Sequence, residues 1–107
     1  MTTLKENTIR NLQNYVSEKI KERGFDDETL QERLLLLSEE VGELLKACRK
    51  TGIGHVKDTE KDYDIGSELV DVLTMLFAVA GELKIDVEKS FLKKEKEIYK
   101  RNYSRTN

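Results

Sequence analysis

A chain of 107 residues with 37% apolar and 37% charged side chains is sized for one domain and carries too much charge for a thick core. Its 19 lysines and arginines against 21 acids, a net charge of -2, give no general attraction to nucleic acid, and a single cysteine, Cys48, excludes an internal disulfide framework and a paired-cysteine zinc site. With no apolar N-terminal leader and no run of 18 apolar residues, neither export nor membrane insertion is expected, and the cytoplasm is the expected compartment.

No proline interrupts the sequence, so no segment is barred from helix. Ile9, Leu12, Val16 and Ile20 recur at three- and four-residue steps and predict an amphipathic helix from about Leu4 to Arg23, ended by Gly24. Phe25 to Glu28 reads as a turn, with Asp26 or Asp27 as N-cap of a second helix running to about Lys50. Leu30, Leu34, Leu37, Val41, Leu44, Leu45 and Cys48 form its apolar stripe. Thr51-Gly52-Ile53-Gly54-His55 and the charged stretch to Asp64 read as loop, which makes His55 a surface residue. A third helix follows from Lys61 or Ile65 to Lys84. Its middle, Leu69 to Ala80, is apolar except at Asp71 and Thr74, the mark of a helix buried on most sides. Asp86 is the expected N-cap of a fourth helix through about Tyr103, where Lys89, Lys93, Lys94, Lys96, Lys100, Arg101 and Arg105 accompany a thin apolar set of Val87, Phe91, Ile98 and Tyr99. The end is expected to fray from about residue 104. The expectation is therefore a single all-α domain over residues 1–107, a four-helix bundle-like protomer with antiparallel neighbours. Its modest apolar content leaves the third helix underburied, which predicts a homo-oligomer, a dimer or a tetramer.

Chemistry concentrates in two acid pairs, Glu40 with Glu43 and Glu68 with Asp71. They are the only acids in the chain spaced i, i+3. That spacing puts each pair on one helical face. For either pair alone a solvated face explains the pattern equally well. Two details argue further. Asp71 sits in Leu69-Val70-Asp71-Val72-Leu73, where most helix rotations bury it, and a buried carboxylate must be paired or bind a cation. Glu39/Glu43 and Asp64/Glu68 add like charges at i, i+4, each costing about 0.2–0.5 kcal/mol unless a cation intervenes. Gly42, between the two glutamates, permits close approach of a ligand or a neighbouring helix. If the second and third helices pack side by side, four hard oxygen ligands converge, a set suited to Mg²⁺ or Mn²⁺. Magnesium commonly recruits phosphates, so acids near the basic fourth helix read as a nucleotide or pyrophosphate site. A di-iron bundle needs Glu-x-x-His motifs, which are absent.

Glu40-x-x-Glu43 followed after 24 residues by Glu68-x-x-Asp71 resembles the E-x-x-E...E-x-x-D signature of the MazG-like nucleotide pyrophosphohydrolases. Leu37-Ser38-Glu39-Glu40-Val41-Gly42-Glu43-Leu44, Ser67-Glu68-Leu69-Val70-Asp71-Val72-Leu73 and Ile85-Asp86-Val87-Glu88 are similar to the flanking segments of that family, over about Gln13 to Arg101. The resemblance implies an all-α, oligomeric enzyme that hydrolyses a nucleoside triphosphate between the α and β phosphates to a monophosphate and pyrophosphate. It implies that Glu40, Glu43, Glu68 and Asp71 are Mg²⁺ ligands and that Glu39 positions or deprotonates the attacking water. It also implies that Lys94 and Arg101 contact phosphate. Ile98 departs from the family, where asparagine is frequent. Gln13, Tyr15 and Phe25 suit a base, through an amide and two aromatic faces. The competing expectation is a non-enzymatic helical oligomer serving as an interaction or regulatory module.

Overall fold

The structure, a computed structural model, describes residues 5–51 and 64–106, with side chains through Arg101. His55, the loop glycines and the alternative helix start at Lys61 lie outside the described residues. Four helices and no strand occur among the described residues: α1 (Thr8–Glu22), α2 (Leu30–Lys50), α3 (Ile65–Glu82) and α4 (Val87–Thr106).

Helix α1 begins at Asn7, which has a left-handed backbone (φ 62°) and no side-chain cap of its own. The carboxylate of Glu88, 3% exposed at the start of α4, accepts from the backbone N–H groups of Asn7 (3.2 Å), Ile9 (3.1 Å) and Arg10 (3.3 Å). A distant acid thus satisfies donors that a local cap normally takes. Arg10 joins the same junction through Nε to Asp86 at 3.0 Å and Nη1 to Glu88 at 3.3 Å. Helix α1 ends in a Schellman turn, with Gly24 at φ 77° and the Phe25 N–H donating to the Ile20 carbonyl at 3.0 Å.

The cap of α2 is neither Asp26 nor Asp27. Thr29 accepts the Glu32 N–H at 3.2 Å and its own N–H donates to the Glu32 carboxylate at 3.3 Å, a reciprocal capping box. Asp64 caps α3 by accepting from Ser67 N–H at 3.0 Å, and Asp86 caps α4, accepting from Lys89 N–H at 3.1 Å. That last bond, with Arg10 beside it, holds the Asp86 carboxyl below its ordinary range.

Helices α2 and α3 form the main contact, α1 lies against α3, and α4 packs against α1. Arg33, 5% exposed, fixes the α2–α3 register by donating from Nη1 to the Ala78 carbonyl at 2.8 Å and pairing with Glu82 at 3.6 Å. The core is small: Val16, Ala47, Phe77, Ala78 and Ala80.

The protomer is bundle-like but open among the described residues: α4 packs on α1 and not on the α2–α3 pair. The burial of α3 on most sides does not hold within one chain, where α3 is underburied as the modest apolar content predicts: Leu69, Val70, Leu73 and Leu76 are exposed, Val70 by 58%. The stripe expected on α2 also divides, with Leu30, Leu37, Leu44 and Cys48 half-buried and Leu34, Val41 and Leu45 exposed. No helix among the described residues is long and apolar enough to cross a membrane.

Candidate metal centre and adjoining cleft

Register brings the acids together. Arg33 on α2 meets Ala78 on α3. Moving seven residues along α2 to Glu40 and seven back along α3 to Asp71 advances both antiparallel helices by two turns. Glu68 is one turn further back on the same face. One carboxylate oxygen each from Glu40, Glu68 and Asp71 lies within 4.8 Å of the others. Glu40 and Glu68 are half-buried and Asp71 is exposed. The Glu40 carboxyl is held above its ordinary range, first by burial and then by the negative charges of Asp71, Glu68, Glu43 and Glu39.

Three of the four expected ligands therefore converge. Glu43, exposed on α2, stands outside the trio and acts on it through charge. Glu39 is likewise exposed. Asp71 departs from the expectation of burial: it is exposed and opens onto the cleft described below. Gly42 also departs: a Cβ there would meet nothing within 4 Å, so no close approach requires the glycine in one chain. An oxygen-only set at this spacing fits a hard divalent cation, whose ligand oxygens stand about 2.0–2.6 Å from the ion, after modest side-chain adjustment.

Beside the trio lies a cleft of about 580 Å³ walled by α1, the α1–α2 turn, α2 and α3. Asp71 belongs to its lining together with Tyr15, Ile20, Phe25, Leu36 and Met75. Tyr15 and Phe25 are thus where a base could reach them. Gln13 is not. It is buried, its Nε2 donates to the Ile85 carbonyl at 2.7 Å and its Oε1 accepts from Val87 N–H at 3.0 Å, so both ends of the amide hold the α3–α4 junction. Lys94 and Arg101 are exposed on α4, whose packing partner is α1 rather than the helices bearing the acids.

Reading the sequence missed Arg33 and Glu88, although each leaves a signal. Arg33 falls three residues after Leu30 and four before Leu37, a charge inside an apolar face. Glu88 offers only a first-turn acid of α4, and its reach to α1 is a tertiary fact.

Fold and site together define an all-helical protein whose carboxylate trio adjoins a ligand-sized cleft. The MazG nucleotide pyrophosphohydrolase domain model matches residues 28–103, and the chain belongs to that family. Membership makes it a hydrolase by class and its substrate a nucleotide. The match begins later than the resemblance traced from Gln13 and leaves α1 outside. No curated protein matches the chain.

Proposed function

We propose that the chain is a Mg²⁺-dependent nucleoside triphosphate pyrophosphohydrolase that cleaves an NTP or dNTP between the α and β phosphates. The observation that carries this reading is the convergence of Glu40, Glu68 and Asp71 beside a cleft large enough for a nucleoside. In it these three residues and Glu43 would hold the ion, Mg²⁺ or in its place Mn²⁺, which would supply neutralisation of phosphate charge and a more acidic water. Glu39 orients the attacking water and takes its proton. Water oxygen bonds to the α phosphorus, the bond from that phosphorus to the α–β bridging oxygen breaks, and pyrophosphate leaves with the bridging oxygen. Lys94 and Arg101 neutralise the departing charge.

Those two residues sit on α4, and in this reading they reach the acids from a second copy of the chain. Support comes from the exposed apolar residues of α4, Phe91 with Ile98 and Leu92 with Tyr99, each pair two turns apart, and from the uncovered Leu69, Leu73 and Leu76 on α3. Sedimentation at micromolar concentration is expected to give a dimer or tetramer, and a monomer would reject the shared arrangement.

The activity is tested by incubating the protein with each NTP and dNTP plus Mg²⁺ and assaying pyrophosphate. Release with at least one of them, abolished by chelator, is expected. No release from any at micromolar protein would favour the alternative of a helical interaction module.

A further inference from the structure

One carboxylate of the cleft lies outside the acidic trio. Glu28 lies at the end of the α1–α2 turn, its backbone N–H donating to the Phe25 carbonyl at 3.3 Å. Its side chain is half-buried and lines the cleft with Tyr15, Phe25, Leu36 and Met75. Among the described residues its carboxylate has no hydrogen-bond or ion-pair partner, although Arg23 lines the same space. Lys19, the other cation of the lining, is held by Glu22 at 2.9 Å and lies over the Tyr15 ring.

We propose that Glu28 reads the base and that the cleft selects a guanine-type purine; this rests on the proposed nucleotide pyrophosphohydrolase reading. An ionised carboxylate only accepts, and its two oxygens match two adjacent donors. Guanine presents such a pair, N1–H beside the 2-amino group, followed on the same edge by the acceptor O6. Adenine and cytosine place their single amino group beside an acceptor nitrogen, and uracil and thymine flank their one N–H with two carbonyl oxygens. Each of these sets an acceptor against the carboxylate. Arg23 supplies donors within the same cleft for O6, and the apolar and aromatic walls suit a flat ring. Asp71 in the same lining puts the phosphate end of the ligand at the acids. Glu28 is the first residue of the family match, while Tyr15 and Arg23 precede it.

The test compares kcat/KM for dGTP, dITP, dATP and dTTP in the wild type and in Glu28→Gln, which replaces one acceptor oxygen by a donor. The wild type is expected to prefer dGTP over dATP and dTTP by about 10- to 100-fold, the discrimination of one bidentate contact, with dITP, which lacks the 2-amino group, about tenfold below dGTP. In Glu28→Gln the dGTP-to-dATP ratio is expected to fall below about threefold, chiefly through a higher KM for dGTP. A wild-type ratio near one, or a ratio that Glu28→Gln leaves intact, would overturn the proposal. If no triphosphate is hydrolysed, the enzyme reading fails and base selection is read by calorimetry with GMP and AMP. Tighter GMP binding that Glu28→Gln removes sustains the selection, and equal affinities overturn it.

Discussion

Asp71→Ala and Glu40→Ala are expected to lower kcat/KM for pyrophosphate release by about a thousandfold or more while leaving the helical circular dichroism unchanged. The size follows from losing a charge-stabilising ligand worth several kcal/mol in the transition state, at about 1.4 kcal/mol per factor of ten. Preserved folding follows from geometry. Asp71 is exposed and Glu40 is surrounded by like charge, so neither truncation removes core packing or a side-chain hydrogen bond among the described residues. Glu43→Ala is expected to cost less, about tenfold, because Glu43 stands outside the converging trio. Steady-state kinetics on all three variants checks the order. Wild-type turnover by Asp71→Ala would reject the assignment of that residue as a ligand.

In chelator-treated protein, Glu40→Gln is expected to be the more stable form at neutral pH by about 0.5–1 kcal/mol, the scale of relieving two like-charge contacts on a helix. The pH dependence has a definite sign. Because the folded protein holds the Glu40 carboxyl above the ordinary 4.5, the native state binds more proton than the unfolded state just above that pH. Wild-type stability relative to Glu40→Gln therefore falls as pH rises through the folded pKa, and the difference vanishes below pH 4.5. Adding Mg²⁺ is expected to reverse the order, since a cation that binds only the native wild type adds about 2.7 kcal/mol at a hundred times its Kd. Urea melts at pH 4 and 7, with and without Mg²⁺, read both effects. A wild type that Mg²⁺ does not stabilise would contradict them.

How far these residues could be read in advance depends on what helical spacing encodes. An i, i+3 interval states which side chains share a face, and on that basis Glu40, Glu68 and Asp71 were legible. The interval does not state which turn of α2 opposes which turn of α3. That register depends on Arg33 meeting the Ala78 carbonyl, so the separation of Glu43 from the trio was not legible. Periodicity also cannot tell an apolar face covered within the chain from one left open. The run around Asp71 therefore suggested burial, whereas α3 has neighbours on only part of its circumference. Gln13 poses a related ambiguity: a polar residue on an apolar helix face is equally consistent with a ligand contact and with tying down a distant backbone, and here it bridges Ile85 and Val87. Local chemistry was the more readable part. The capping box of Thr29 and Glu32 is written in their three-residue spacing, beside aspartates that offer the same N-cap chemistry.

The capping of α1 by Glu88 has a consequence for how the chain closes on itself. The two segments it joins are 78 to 81 positions apart, and closing a loop of that length costs on the order of 4 kcal/mol in chain entropy before any constant term. Charge-assisted bonds contribute about 1.5–3 kcal/mol each, so a carboxylate with three amide donors and Arg10 can offset that cost where two short helix ends offer little apolar area. The first and last described helices are thereby locked to each other at one end of the molecule, with the Gln13 amide fastening the same junction through Ile85 and Val87.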